Sequence, residues 1–104
     1  MTKTISLLGS TGSIGRQTLE VAEQLGLRVA ALTAKQNAAR MEEQARRFRP
    51  RLAVLFDGDA AKDLKLRLAD TDIRVASGLE GLLEAATLPE ADTVVTAVVG
   101  AIVL

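Results

Sequence analysis

The sequence predicts an α/β fold: a Rossmann-like, doubly wound, mostly parallel sheet in three α/β/α layers. Three observations carry that expectation. Segments of strand and helix character alternate along the whole chain. The strand segments are continuous apolar runs, the pattern of strands covered on both faces, and not the in/out alternation of a half-exposed sheet. A glycine-spaced stretch, LGSTGSIG at residues 8–15, falls between the first strand and the first helix. Right-handed crossovers between parallel strands then leave a doubly wound sheet as the simplest arrangement.

Taken in order, Thr4 to Leu8 (TISLL) is short, β-branched and apolar, and is stopped by Gly9, which makes it a buried first strand. From Ser13 the residues Ile14, Thr18, Val21 and Leu25 recur at steps of four, three and four, and predict one face of a helix that Gly26 ends. Arg28 to Thr33 (RVAALT) is the second strand. Asn37 is placed to cap a helix with Ala38, Met41, Ala45 and Phe48 inward and Pro50 beyond its end. Leu52 to Phe56 (LAVLF) is the third strand. Asp57-Gly58-Asp59 is a turn, with Asp59 placed to cap a helix running to about Ala69. Ile73 to Ala76 is a weaker fourth strand, Leu79 to Thr87 a short helix ended before Pro89, and Thr93 to Val99 a fifth strand. The apolar residues Val94, Val95, Val98, Val99, Ile102, Val103 and Leu104 have no covering helix after them, so the chain reads as a segment of a longer protein.

At 104 residues the chain has the size of one domain, able to fold without disulfides or metals. Its 48% hydrophobic and 25% charged residues are those of a globular protein. Lysines and arginines balance aspartates and glutamates at zero net charge, so no long-range field gathers polyanions, and nucleic acid is not an expected partner. Arg46, Arg47, Arg49 and Arg51 cluster near the end of the second helix. There they complement its dipole and are offset by Glu42 and Glu43, and no aromatic residues are interleaved for base stacking. No stretch is long enough for a signal-peptide core or a membrane span, so a cytoplasmic location is expected. With no histidine or cysteine, zinc and copper sites are not expected, and the acids fall on outward helix positions (Glu20, Glu23, Glu42, Glu43, Glu84) or at turns and caps (Asp57, Asp59, Asp92).

The glycine stretch carries the chemistry. Where a strand bends into a helix, the free amides of the first turn point outward, and the aligned peptide dipoles favour an anion. Gly12 lets backbone approach a diphosphate, Gly15 lets helix and strand come close, and the hydroxyls of Thr11 and Ser13 add donors. The spacing is one residue longer than G-x-G-x-x-G, so the alternative of a hydroxyl-capped turn with no ligand stays open. A triphosphate-binding loop is excluded, because Ile14 stands where Gly is needed and Gly15 where Lys is needed. At the end of the second strand, where NAD-binding proteins place an acid, the sequence reads Thr33-Ala34-Lys35-Gln36-Asn37. Lys35 can meet a 2′-phosphate, with Gln36 and Asn37 as neutral donors and Arg40 one turn on, which favours NADP; a solvated loop lysine is the other reading. A phosphate-accepting receiver would use Asp57, but it needs acids after the first strand and a lysine near the end of the fifth, where this chain has Gly9-Ser10-Thr11 and Val98-Val99-Gly100. A non-redox nucleotide or coenzyme A module using the same loop remains an alternative.

The stretches LLGSTGSIGRQTLEV, ALTAKQNAARMEEQARRFRPRLAV and LPEADTVVTAVVGA resemble, in order and spacing, the N-terminal region of the 1-deoxy-D-xylulose 5-phosphate reductoisomerases. These are NADPH-dependent enzymes of the non-mevalonate isoprenoid route. The resemblance runs along nearly the whole chain and makes residues 1–104 the family's NADPH-binding domain. It implies Thr11, Gly12, Ser13 and Ile14 on the NADPH pyrophosphate, and Lys35, Gln36 and Asn37 on the adenosine ribose phosphate. Ala97, Val98 and Val99 would pass beside the dinucleotide. Family members often carry Gly at the position of Lys35, and a glycine near position 103 where this chain has Val. The implied reaction rearranges a ketose phosphate and reduces it with a hydride from NADPH, assisted by Mg or Mn on carboxylates beyond Leu104, in a homodimer. No catalytic residue and no metal ligand is therefore expected within the chain, and the chain alone is expected not to catalyse.

Overall fold

A computed structural model describes residues 3–97 and has nine elements that alternate without exception: β1 (Thr4–Leu8), α1 (Ser13–Leu25), β2 (Arg28–Ala34), α2 (Ala38–Phe48), β3 (Leu52–Leu55), α3 (Gly58–Arg67), β4 (Arg74–Ser77), α4 (Gly78–Ala86) and β5 (Thr93–Thr96). All four strand pairings are parallel and the order is β4-β3-β2-β1-β5. The chain walks outward from β1 to β4, then crosses back over three strands to place β5 on the other side of β1.

Handedness converts that route into layers. Right-handed crossovers moving outward put α1, α2 and α3 on one face, and the return crossover puts α4 on the other. Two cores result. Ile5, Leu7, Val29, Leu32, Ala53 and Leu55 pack with Leu19, Ala22, Met41, Ala45 and Leu64 on the three-helix side. Ala31, Leu52 and Val54 pack with Ala85 and Leu82 of α4 on the other side. Alternate residues of β3 go to opposite cores, the period-two rule of a strand buried on both faces. α4 lies close on that face, since a Cβ at Gly81 would meet Val54 Cγ1 at 2.7 Å.

Two sequence expectations are corrected. The buried face of α1 is Gly15, Leu19 and Ala22, not the stripe Ile14, Thr18, Val21 and Leu25, of which Ile14, Val21 and Leu25 are exposed and Thr18 half-buried. Small residues face the sheet because the helix starts in contact with the loop beneath it: a Cβ at Gly15 would lie 2.1 Å from the Gly9 carbonyl oxygen. The cap of α3 is Asp57, whose Oδ2 accepts from Ala60 N at 2.9 Å, while Asp59 lies inside the first turn. Smaller shifts move Phe56 out of β3, extend β2 to Ala34 and displace β4 by one residue. The expected fifth strand runs on to Val99, and its last residues, with Ile102, Val103 and Leu104, lie outside the described residues.

Candidate functional site

Strand order reverses beside β1, so the carboxyl ends of β1, β2 and β5 enclose the crevice where open α/β sheets take their ligands. The β1–α1 loop fills one side of it. Gly9 has φ 89°, a left-handed conformation that side chains rarely adopt, and turns the chain sharply off the strand. The amides of Gly9 and Ser10 then both donate to Thr33 O at 2.8 Å, with Gly9 N also 3.2 Å from Thr33 Oγ1. The loop is thereby stapled to the end of β2.

Beyond that staple the backbone is open. α1 starts after Gly12 (φ −77°, ψ 176°), which provides no side-chain cap, and no acid stands in the first turn. Its first internal bond is Arg16 N to Gly12 O at 2.9 Å. Among the described residues, the amides of Thr11, Gly12, Ser13 and Ile14 have no protein acceptor. α2 and α3, in contrast, are closed by Asn37 and Asp57. Unbonded amides at the positive end of a thirteen-residue helix make a site for an anion. Gly12 is also unobstructed, since a Cβ there would meet nothing within 4 Å; neither its dihedrals nor its packing demands glycine.

The loop borders a groove of about 340 Å³ lined by Gly9, Thr11, Gly12, Thr33, Ala34, Lys35, Phe56, Leu82 and Ala97. Of the sequence-predicted residues, Thr11, Gly12 and Lys35 come together around this groove. Ser13 and Ile14 lie exposed on the first turn of α1, Ser13 bordering a neighbouring depression between α1 and α2 with Arg16, Arg40 and Gln44. Gln36 and Asn37 sit exposed at the start of α2, next to Lys35 but outside the groove lining. Asn37 Oδ1 accepts from Arg40 N at 3.0 Å, so this side chain serves as the expected helix cap. Ala97 lines the groove; Val98 and Val99 lie outside the described residues.

Sequence reasoning missed Phe56 and Leu82. Phe56 follows β3 at its carboxyl end and is 49% exposed, a placement that the general rule for ligand sites in parallel sheets would have marked. Leu82 comes from the return helix, and no sequence signal connects it to the loop.

A wide concavity of about 920 Å³ lies at the opposite end of the sheet, where Leu52 and Arg74 begin their strands. It is bordered by paired charges, Arg46 with Asp70 at 2.8 Å and Arg74 with Glu84, with Arg51 held by Glu90 at 2.9 Å. With three of its four lining arginines paired to acids, this surface keeps little free positive charge for an anion, so the glycine loop remains the candidate site. Among the described residues no group of three or more His, Cys, Asp or Glu side chains is arranged to hold a metal ion, and no helix is long and apolar enough to cross a membrane.

The parallel sheet with its order reversal, and the anion-accepting bend at that reversal, define a Rossmann-like domain of the nucleotide-binding class. The family model for 1-deoxy-D-xylulose 5-phosphate reductoisomerase matches residues 5–104, and the chain belongs to that family. It is 53% identical over 102 residues to the 1-deoxy-D-xylulose 5-phosphate reductoisomerase of Moorella thermoacetica, covering 96% of this chain and 26% of that protein. It is 51% identical to the enzyme of the same name from Desulfitobacterium hafniense, with 96% and 27% covered. Among solved structures, a DOX-P reductoisomerase in complex with magnesium matches with TM-score 0.89 and 34% identity, over 97% of this chain and 26% of the other. The 1-deoxy-D-xylulose 5-phosphate reductoisomerase from Zymomonas mobilis in complex with NADPH matches with TM-score 0.81 and 36% identity, over 86% and 24%. The chain thus spans about a quarter of the length of its relatives.

Proposed function

We propose that residues 1–104 form the NADPH-binding domain of a 1-deoxy-D-xylulose 5-phosphate reductoisomerase. The observation that carries this reading is the row of amides, Thr11 to Ile14, with no acceptor among the described residues, at the uncapped start of α1 beside a groove that Lys35 also lines. The amides of Thr11, Gly12, Ser13 and Ile14 receive the pyrophosphate, and open Gly12 lets it come against the backbone. Lys35, with Gln36 and the free amide nitrogen of Asn37, receives the adenosine ribose phosphate, and the cation in place of an acid selects NADPH over NADH. Phe56 and Leu82 give the groove an apolar wall that keeps water off the bound cofactor. The groove residues fit the cofactor's chemistry: Thr11 and Gly12 bring amide donors, Lys35 a cation, and Phe56 and Leu82 an apolar surface.

When bound, NADPH supplies the hydride for the reduction that yields 2-C-methyl-D-erythritol 4-phosphate from rearranged 1-deoxy-D-xylulose 5-phosphate. In this reading the chain's own residues bind and orient the cofactor and do not touch the reacting carbons. Mg or Mn is held by residues that the chain does not contain. In this reading the whole enzyme is a cytoplasmic homodimer with neither nucleic acid nor membrane as partner; of this chain, zero net charge says only that no long-range field gathers a polyanion.

Calorimetric titration of the chain with NADPH, NADH and ATP tests the reading. NADPH is expected to bind tightest. Preference for ATP or coenzyme A would point to a non-redox module, and absence of binding to all of them would remove the site.

A further inference from the structure

The loop that offers its amides to the groove is held from behind by a side chain that no motif marks. Gln44, on the inward face of α2, is 7% exposed, and its Nε2 donates to the carbonyl oxygen of Ser10 at 2.8 Å, across 34 residues of sequence. Ser10 is fully buried. Burying a carboxamide is unfavourable unless it is bonded, and an apolar residue beside Met41 and Ala45 would fill this place without that cost. Ser10 Oγ and Gln44 Oε1 have no protein partner among the described residues, so the bond to the Ser10 carbonyl is the polar contact that Gln44 makes with the protein.

What the bond controls follows from peptide geometry. In a planar trans peptide the C=O of one residue and the N–H of the next point in opposite directions. Drawing the Ser10 carbonyl inward to Gln44 therefore turns the Thr11 N–H outward, and Thr11 lines the groove. Thr33 does the complementary work by turning the Gly9 and Ser10 amides inward. α2 also begins at Asn37, next to Lys35 and Gln36, so one rigid helix carries the cation-bearing turn and pins the amide-bearing loop.

We propose that Gln44 is a positioning residue for cofactor binding. Its amide fixes the Ser10–Thr11 peptide plane so that Thr11 N–H faces the diphosphate, and its helix fixes the distance from that point to the ribose phosphate. Only the identity of the ligand rests on the NADPH reading; the loop geometry stands without it.

The test is Gln44→Met, which keeps length and bulk and removes the donor. Backbone ¹⁵N relaxation should show the order parameters of Thr11 and Gly12 falling from about 0.85 to below about 0.6, with the melting temperature unchanged. Affinities for NADPH and for inorganic pyrophosphate should fall about tenfold together. A second variant, Gln44→Glu, can donate to Ser10 O only when its carboxyl is protonated, so its affinity relative to wild type should recover as the pH is lowered. A loop that stays ordered in Gln44→Met, or one that loosens with affinity unchanged, overturns the proposal, as does a Gln44→Glu ratio that ignores pH. A wild-type chain that binds neither probe overturns the cofactor reading, and the relaxation data still decide the role of Gln44.

Discussion

Gly12 and Gly15 are three residues apart, and only Gly15 is required by packing to be glycine; at Gly12 the space above the backbone is open. Gly15 has no room: its Cβ would enter the Gly9 carbonyl and lie 2.7 Å from Ser10 Cα, backbone atoms that cannot rotate away. Gly15→Ala should cost about 3 kcal/mol of stability, read from a denaturant midpoint. Gly12 has open space and an unremarkable φ of −77°, so Gly12→Val should cost under about 1 kcal/mol yet abolish NADPH binding in the same calorimetric titration. Retained affinity in that variant would contradict the assignment of the loop. Lys35→Glu places a carboxylate where a 2′-phosphate is expected, and the ratio of NADPH to NADH affinity should drop at least about tenfold by fluorescence titration, a change of about 1.4 kcal/mol. The glycine spacing was legible in the sequence because each glycine does a job local to the bend. Gln44 and Phe56 were not, because their relation to the bend exists only once α2 and β3 are packed beside it.

Among the elements, α1 shows how a periodic pattern can mislead. Its bulkiest apolar residues at helical spacing lie on the exposed side, while Leu19, 3% exposed, and Ala22 carry the packing. Periodicity reports that a segment is a helix; which face turns inward is decided here by the contact between Gly15 and the loop. Thermal or chemical unfolding should separate the two faces, with Leu19→Ala costing about 3 kcal/mol and Leu25→Ala, at a position 68% exposed, under about 0.5 kcal/mol. The start of α3 carries a similar lesson. Asp57 and Asp59 are both able to cap, and only the Asp57 side chain reaches a free amide, that of Ala60. Asp57→Ala should therefore lower stability by about 1 kcal/mol and Asp59→Ala by less, since the latter loses only its interaction with the helix dipole. Strand and helix order could be read from alternating apolar runs, whereas the position of β5 against β1 could not, because pairing across nearly the whole chain leaves no local trace.

For the whole molecule, the three-helix face is laced by charges. Glu42 of α2 accepts from Arg46 at 3.1 Å and from Arg67 of α3 at 3.0 Å, and Arg46 reaches on to Asp70 at 2.8 Å. The guanidinium of Arg67, then that of Arg46, holds the Glu42 carboxyl below the usual carboxylate range, and Arg46 does the same for Asp70. A carboxyl whose folded pKa is lowered contributes stability above its unfolded value of about 4, and that contribution disappears as the pH falls through the lower folded value. The melting temperature should therefore decline on acidification below about pH 4. In Glu42→Gln it should start lower at neutral pH and decline less steeply, and added salt should weaken the wild-type advantage because these groups face solvent.

β1 takes hydrogen bonds on both sides, and its outer partner is the last strand described, with Asp92 N donating to Thr4 O at 2.7 Å and Thr4 N to Asp92 Oδ2 at 2.9 Å. A ribosome adding roughly 5–20 residues per second needs about 4–18 s to travel between those two points. Throughout that interval the nascent polypeptide exposes one raw edge of its earliest strand, an invitation to mispairing with neighbouring chains, and the crevice cannot acquire its second wall before the interval ends.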